Sequence, residues 1–244
     1  MLKILERMVR SSIQAIGLDL HRLSLSQNPF LQIRKGLEKF SVDLVFDIGA
    51  NTGQFATELR AIGYKGRIVS FEPLSDAHKK LNREATRDGK WHVHPKTAIG
   101  DFDGEIEINI AGNSVSSSVL PMLEAHAAAA VTSAYIGAEK VAIARLDSIA
   151  SNYLSGEETY FIKIDTQGFE WQVLDGAKET LANAQGVLCE LSLVPLYEGQ
   201  RLWLEMIERL NREGFSLWAI QTGFTDPRDG RALQVDAIFF RLNS

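Results

Sequence analysis

The sequence predicts an α/β fold, a mostly parallel sheet with helices on both faces. Three observations carry that prediction. From residue 41 onward, short apolar runs alternate with amphipathic stretches, the pattern of repeated βα units. A glycine-bearing turn at residues 49–53 stands where the first run meets the first stretch, a place where open α/β sheets bind ligands. The 244 residues are 45% hydrophobic and 23% charged, enough for one ordinary domain with a sizeable core.

The first forty residues read as a helical extension (1–40), set apart from a domain over 41–244. Leu2, Leu5, Met8, Val9, Ile13 and Ile16 recur at helical spacing, with Lys3, Arg7 and Arg10 on the other side. Two readings stand: an accessory helix packed on the domain, or a helix that touches a membrane surface or a partner. Lys3, Glu6, Arg7 and Arg10 interrupt the apolar run, so no secretory signal is expected. No stretch approaches the length that spans a bilayer.

Within the domain, residues 42–48 form a short apolar run ending in glycine, a buried-strand signal. Residues 54–62 read as a helix closed by Gly63. A second strand over 67–71 is closed by Pro73, and a helix over 75–87 follows with Ser75 as its cap. Residues 91–94 read as a strand, and 105–110 alternate charged and apolar residues like a half-exposed strand. Residues 111–136 are irregular with some helix, including the alanine run 127–130. Strands are then expected over 140–144, 160–165, 187–193, 215–220 and 235–241. Helices are expected from Leu146, over 170–181 and over 201–212.

Charge and cysteine content exclude several function classes. Lys and Arg total 26 against 31 Asp and Glu, a net charge of −5. That balance argues against a nucleic-acid binder, which needs a dense positive face. Cys189 is the single cysteine, which rules out an internal disulfide and a cysteine-rich zinc site and suits a reducing, cytoplasmic setting.

The segment Phe46-Asp47-Ile48-Gly49-Ala50-Asn51-Thr52-Gly53 is the most informative. Its spacing is neither a dinucleotide fingerprint nor a P-loop. A pyrophosphate needs bare backbone at its closest contact, and Asn51 puts a side chain there. The second strand ends Ser70-Phe71-Glu72-Pro73. An acid about 20 residues past the glycine turn suits hydrogen bonds to ribose hydroxyls. Together they point to an adenosine-type cofactor with a free ribose and no phosphate chain, a description that S-adenosylmethionine meets. An NAD-linked oxidoreductase would need the missing fingerprint.

These motifs resemble the FkbM-family methyltransferases. The likeness covers roughly residues 40 to 241: the glycine turn, the Glu72 strand end, Thr97-Ala98-Ile99-Gly100-Asp101, residues 113–120 (NSVSSSVL), Arg145-Leu146-Asp147, residues 162–170 (IKIDTQGFE), 189–200 (CELSLVPLYEGQ) and 233–239 (LQVDAIF). It implies a Rossmann-like, class I methyltransferase sheet of seven strands, the last antiparallel, and S-adenosylmethionine as methyl donor. Matched positions assign the methionine and ribose part to Asp47, Gly49, Ala50, Asn51 and Gly53, with Glu72 on the ribose. Asp101, or the backbone at Ala98 and Ile99, would meet the adenine. Ser116, Ser117 and Ser118 lie in a polar loop, for which two readings stand: a contact to the methionine end of the cofactor or the acceptor, or a solvated turn. Gln167 stands where many members carry Glu, so no role needing a charge at 167 carries over.

The chemistry falls to carboxylates at strand ends. Asp165 ends one strand, Glu190 lies near the end of the next, and Asp236 starts the last. With the last strand antiparallel, the three converge on one edge. A neutral hydroxyl needs a general base, or a metal that lowers its pKa. Asp165 is the first candidate for either task, and the three together offer an oxygen-rich Mg2+ site. Glu170, in the first turn of the next helix, either complements the helix dipole or joins the active site. His92 and His94 read as structural, Trp171, Trp203 and Trp218 as core, and Cys189 as a small buried hydrophobe. The expected activity is O-methylation of a hydroxyl, of a sugar in a glycan, glycolipid or polysaccharide precursor. N-methylation of a small molecule and a non-catalytic cofactor-binding module are the alternatives, and the oligomeric state is left open.

Overall fold

The computed structural model describes residues 28–242, together with 9, 11–18 and 25. The elements are α1 (Pro29–Lys39), β1 (Leu44–Ile48), α2 (Gln54–Ala61), β2 (Arg67–Phe71), α3 (Ser75–Ala85), β3 (Trp91–Val93), β4 (Thr97–Ile99), β5 (Gly104–Ala111), α4 (Glu124–Ala129), β6 (Tyr135–Ala144), α5 (Leu146–Ile149), β7 (Tyr160–Ile164), α6 (Glu170–Asp175), α7 (Lys178–Asn183), β8 (Gly186–Ser192), α8 (Trp203–Arg212), β9 (Ser216–Thr222) and β10 (Gln234–Phe240).

Seven strands form the main sheet in the order β3-β2-β1-β7-β8-β10-β9. β1 pairs parallel with β2 and β7, and β7 with β8. β10 is antiparallel to both its neighbours. This order with one reversed strand is the Rossmann-like class I methyltransferase arrangement that the resemblance implies. β1 and β7 are buried along their whole length, as expected of central strands covered on both faces.

Two apolar layers cover the sheet. On one face Ile33 and Leu37 of α1 and Ala56 and Leu59 of α2 pack on Val45, Phe161 and Phe240. On the other, Leu146, Val173, Leu181, Met206 and Leu210 pack on Phe46 and Ile162. Asn28 caps α1 by accepting from Leu31 N, with Pro29 in the first turn, a sequence signal for a helix start. The parallel arrangement brings the ends of β1, β2, β7 and β8 and the start of β10 to one edge.

The structure corrects several local expectations. Ser75 is not the cap of α3: Leu74 holds that place, and the Ser75 hydroxyl donates to Glu139 at 2.5 Å. The expected helix over 170–181 is two helices broken at Gly176, where a Cβ would lie 1.7 Å from the Gly100 carbonyl oxygen; close backbone contact overrides the helical pattern there. β6 starts at Tyr135, five residues before the expected strand. With β4 and β5 it forms a separate three-stranded sheet, β4-β6-β5. Trp218 is 39% exposed on edge strand β9, with Phe40 against its ring, whereas Trp171 and Trp203 pack against the core. The expected N-terminal helix falls mostly outside the described residues. Among those described, no helix is long and apolar enough to cross a membrane.

Candidate functional site

A cavity of about 780 Å3 opens along the sheet edge, within the size range of ligand pockets. Its floor is the first part of the 49–53 turn, Gly49, Ala50 and Asn51. Gly49 has φ +73°, and a Cβ on it would lie 1.8 Å from the Asp165 carbonyl oxygen. Only glycine fits that approach. Asn51, Ser114 and Gln167, all lining the cavity, also have positive φ. Such strained backbone gathers where a site over-determines it.

Behind the floor sits a buried ion cluster. Lys163 Nζ donates to the carbonyls of Gly49 (2.9 Å) and Ile48 (3.3 Å). It lies 3.3 Å from Asp47 and 3.5 Å from Asp165. Burial pulls the Lys163 pKa down, but Asp165 and Asp47 outweigh it and hold the ammonium above its ordinary range. Asp47 is fully buried and accepts from Ser70. It does not line the cavity; it anchors the lysine that fixes the turn. Gly53 likewise stands behind the floor, against Trp91.

Glu72 lies at the end of β2, 4% exposed. One oxygen accepts from Asn51 N and the other from Leu74 N, both at 2.8 Å. Burial pushes its pKa up to about 7, with those amides pulling the other way. Each oxygen keeps a second lone pair for a hydroxyl. Ala98 and Ile99 line the same end beside Phe71 and Phe169, whereas Asp101 is exposed and does not line the cavity. Of the two candidates for the adenine end, Ala98 and Ile99 line the cavity and the Asp101 side chain does not.

The three carboxylates do line one stretch of the cavity. Asp236 stands directly opposite Glu190 across the β10–β8 pair. A fourth group joins them: the Gln167 amide donates to Asp165 (2.9 Å) and to Glu190 (2.8 Å). Gln234 donates to the same Glu190 oxygen at 2.7 Å. Tyr197 hydroxyl donates to Gln167 Oε1 at 2.9 Å and fixes which way the amide points. Burial raises the Glu190 pKa well above the carboxylate range, and Asp165, Glu170 and Asp236 raise it further. Burial, then Asp165, lifts Asp236 to about 6. Among the described residues, no side chain hydrogen-bonds to or ion-pairs with the Asp236 carboxylate.

This wiring does not support the Mg2+ expectation. Among the described residues, no group of three or more His, Cys, Asp or Glu side chains could hold a metal. An amide bridges two of the carboxylates and an ammonium attends one, so donors occupy the space an ion would need.

Glu170 is 7% exposed and does not line the cavity. Its Oε1 accepts from Thr166 N (2.9 Å), Thr166 Oγ1 (3.2 Å) and Gly168 N (3.1 Å). It shapes the loop that aims Gln167 at the carboxylates, and burial lifts its pKa to about 7. Ser118 donates to the Gln167 carbonyl at 2.6 Å, and Ser117, which lines the cavity, accepts from Ala111 N at 3.0 Å. The serine loop thus holds the wall together. His94 accepts or donates to Tyr153 at 2.6 Å, a structural partner as expected, and Cys189 is fully buried.

Sequence reasoning missed Lys163, Gln167 as a bridge, Tyr197 and Gln234. Lys163 carried a signal: a lysine inside the apolar run Tyr160-Phe161-Ile162-Lys163-Ile164 must find buried partners. Phe30 of α1, which lines the cavity, had none, because its neighbours are set by tertiary packing.

A family profile described as the methyltransferase FkbM domain matches residues 47–217. The 2-O-methyltransferase NoeI of Sinorhizobium fredii is 27% identical over 172 residues, 64% of this chain. The match spans 66% of that relative's length. Among solved structures, an rRNA methylase from Streptococcus thermophilus is 9% identical with TM-score 0.46, covering 89% of this chain and 98% of that one. TehB from Haemophilus influenzae is 9% identical with TM-score 0.46, covering 87% and 62%. The sheet order, rather than these distant likenesses, carries the fold.

Proposed function

The chain belongs to the FkbM methyltransferase family, and from that premise we propose that it is an S-adenosylmethionine-dependent O-methyltransferase. The observation that carries the reading is the pairing of the Glu72 end of the cavity with the Asp165–Glu190–Asp236 stretch. The residues fit the cofactor. Glu72 offers two lone pairs to ribose hydroxyls, the Gly49 cradle leaves bare backbone beside it, and Ala98 and Ile99 wall the adenine end. When bound, S-adenosylmethionine supplies an electrophilic methyl group on a cationic sulfonium.

Asp236 is the general base of this reading, in place of Asp165. Asp165 is engaged by Lys163 and Gln167, whereas the Asp236 carboxylate faces the cavity free. A pKa of about 6 keeps it ionised yet basic near neutral pH, the useful range for general-base catalysis. Its role would be to take the proton of the acceptor hydroxyl; the bound donor would supply the methyl group, its carbon–sulfur bond breaking to leave neutral S-adenosylhomocysteine. Asp165 and Glu190, tied by Gln167, orient the acceptor oxygen, and Asp165 supplies negative potential beside a cationic donor. The acceptor of this reading is a sugar of a glycan, glycolipid or polysaccharide precursor. The named activity of the NoeI relative supports 2-O-methylation chemistry. The single buried cysteine suits a cytoplasmic setting.

A screen of glycan acceptors with a methyl-labelled donor tests the proposal. Labelled methyl should appear on an oxygen, and Asp236→Asn should cut kcat by about 100-fold or more. Label on nitrogen, or an undiminished Asp236→Asn rate, contradicts it.

A further inference from the structure

The cavity continues past the carboxylates, away from Glu72. In the sheet order β2 lies on one side of β1 and β7, and β10 and β9 on the other. Glu72 therefore marks one end of the groove and Gln221 and Thr222, at the end of β9, the other. Phe30 of α1, Phe55 of α2 and Phe224 line this second end. The Phe30 and Phe55 rings lie 6.2 Å apart at 44°. Gln221 donates to the Pro29 carbonyl (2.9 Å) and to Gln32 Oε1 (3.1 Å), which locks the start of α1 onto β9. A helix from the N-terminal extension is thus a wall of the site.

Charge along the groove is one-sided. Glu58, Glu72, Asp165, Glu190 and Asp236 line it, and Lys163 is the single Lys or Arg among the described lining residues. That ammonium is buried and already shared by Asp47, Asp165 and two carbonyls. Among the described lining residues nothing is left to neutralise a phosphate, which would enter against like charge. The aromatic rings instead offer flat apolar surface, while Thr222 supplies a hydroxyl at the rim.

Resting on the methyltransferase reading, we propose that the α1–β9 end is the acceptor subsite and that it takes an uncharged, hydroxyl-bearing ring rather than a phosphorylated one. Phe30 and Phe55 form the face on which the ring lies, and the Gln221 tie to α1 sets its width.

The test uses the full chain loaded with S-adenosylhomocysteine. Binding is read by saturation-transfer NMR with two matched probe sets, neutral aryl glycosides and the phosphates of the same sugars. Prior calorimetry of S-adenosylhomocysteine alone separates the two claims: no cofactor binding refutes the methyltransferase reading, whereas cofactor binding leaves the subsite claim to be judged alone. The expected result is binding of neutral probes, no binding of their phosphates, and at least fivefold weaker neutral binding in Phe30→Ala with cofactor affinity unchanged. Thr222→Lys, at an exposed rim position, is expected to admit the phosphates. Equal or tighter binding of the phosphates to the unmodified protein, no binding of any neutral probe, or unchanged neutral binding in Phe30→Ala overturns the proposal.

Discussion

Replacing Gln167 by Glu turns a donor into an acceptor at the centre of the carboxylate stretch. The amide now donates to Asp165 at 2.9 Å and to Glu190 at 2.8 Å. Hydrogen bonds to charged groups contribute about 1.5–3 kcal/mol each, and both are lost. A carboxylate about 3 Å from Asp165 adds repulsion of roughly 5 kcal/mol at an effective dielectric of about 20. The site cannot sustain that and takes up a proton instead, as paired carboxylates do. The new acid then has a folded pKa above its unfolded value. Its contribution is intact below about pH 4, the unfolded value, and is lost as pH rises through the folded pKa. Near pH 5 thermal unfolding of Gln167→Glu is therefore expected to show the loss of about one hydrogen bond, roughly 1.5–3 kcal/mol, because the protonated acid donates one bond where the amide donates two. Near pH 8 the loss should be larger by about 3 kcal/mol, or roughly a further 6–12 °C in Tm for a chain of this size. A Tm deficit of equal size at both pH values would refute the bridging role of the amide.

Other outcomes follow from the same wiring. Gly49→Ala forces a Cβ to 1.8 Å from the Asp165 carbonyl at φ +73°; thermal denaturation should report a loss of about 3 kcal/mol or more, and a near-neutral change would mean that the turn relaxes freely. Asp165→Asn keeps the shape beside Lys163 but removes charge; calorimetry should find cofactor affinity within a few-fold while turnover falls at least tenfold, and unchanged turnover would sink its orienting role. Burial raises Glu72 and Glu170 to about 7 and Asp236 to about 6. All three lie above their unfolded values, so the ligand-free protein should lose stability between about pH 4.5 and 7.5. In the Glu72→Gln variant the Tm slope across that window should be shallower; an identical slope removes Glu72 from the account.

Much of this architecture is legible in the sequence because local and global signals agree. The runs that became β1 and β7 are apolar but for Asp47 and Lys163 and are buried along their length, so their composition identifies them. Gly49 and Glu72 point to the end of the cavity proposed for the cofactor because their spacing reflects one βα unit. The three-stranded side sheet was not legible as such: β4 is three residues long, and β6 carries polar residues on an exposed half. The break at Gly176 comes from the Gly100 backbone, 76 positions away in sequence, which no helical period encodes. In the site, the convergence of Asp165, Glu190 and Asp236 follows from strand ends once the last strand is reversed. Their hydrogen-bond wiring does not, because Gln167 and Tyr197 reach it through a left-handed backbone position and a loop. Asp101 illustrates the opposite limit: its motif lies beside the cavity, yet its side chain turns to solvent.

The central claim is that the Glu72 end holds S-adenosylmethionine. Isothermal titration calorimetry with the full chain tests it most directly. Micromolar-range binding is predicted for the unmodified protein, with affinity at least tenfold weaker in Glu72→Ala, where hydrogen bonds to ribose are lost. No heat of binding in the unmodified protein, or equal affinity in Glu72→Ala, would contradict it.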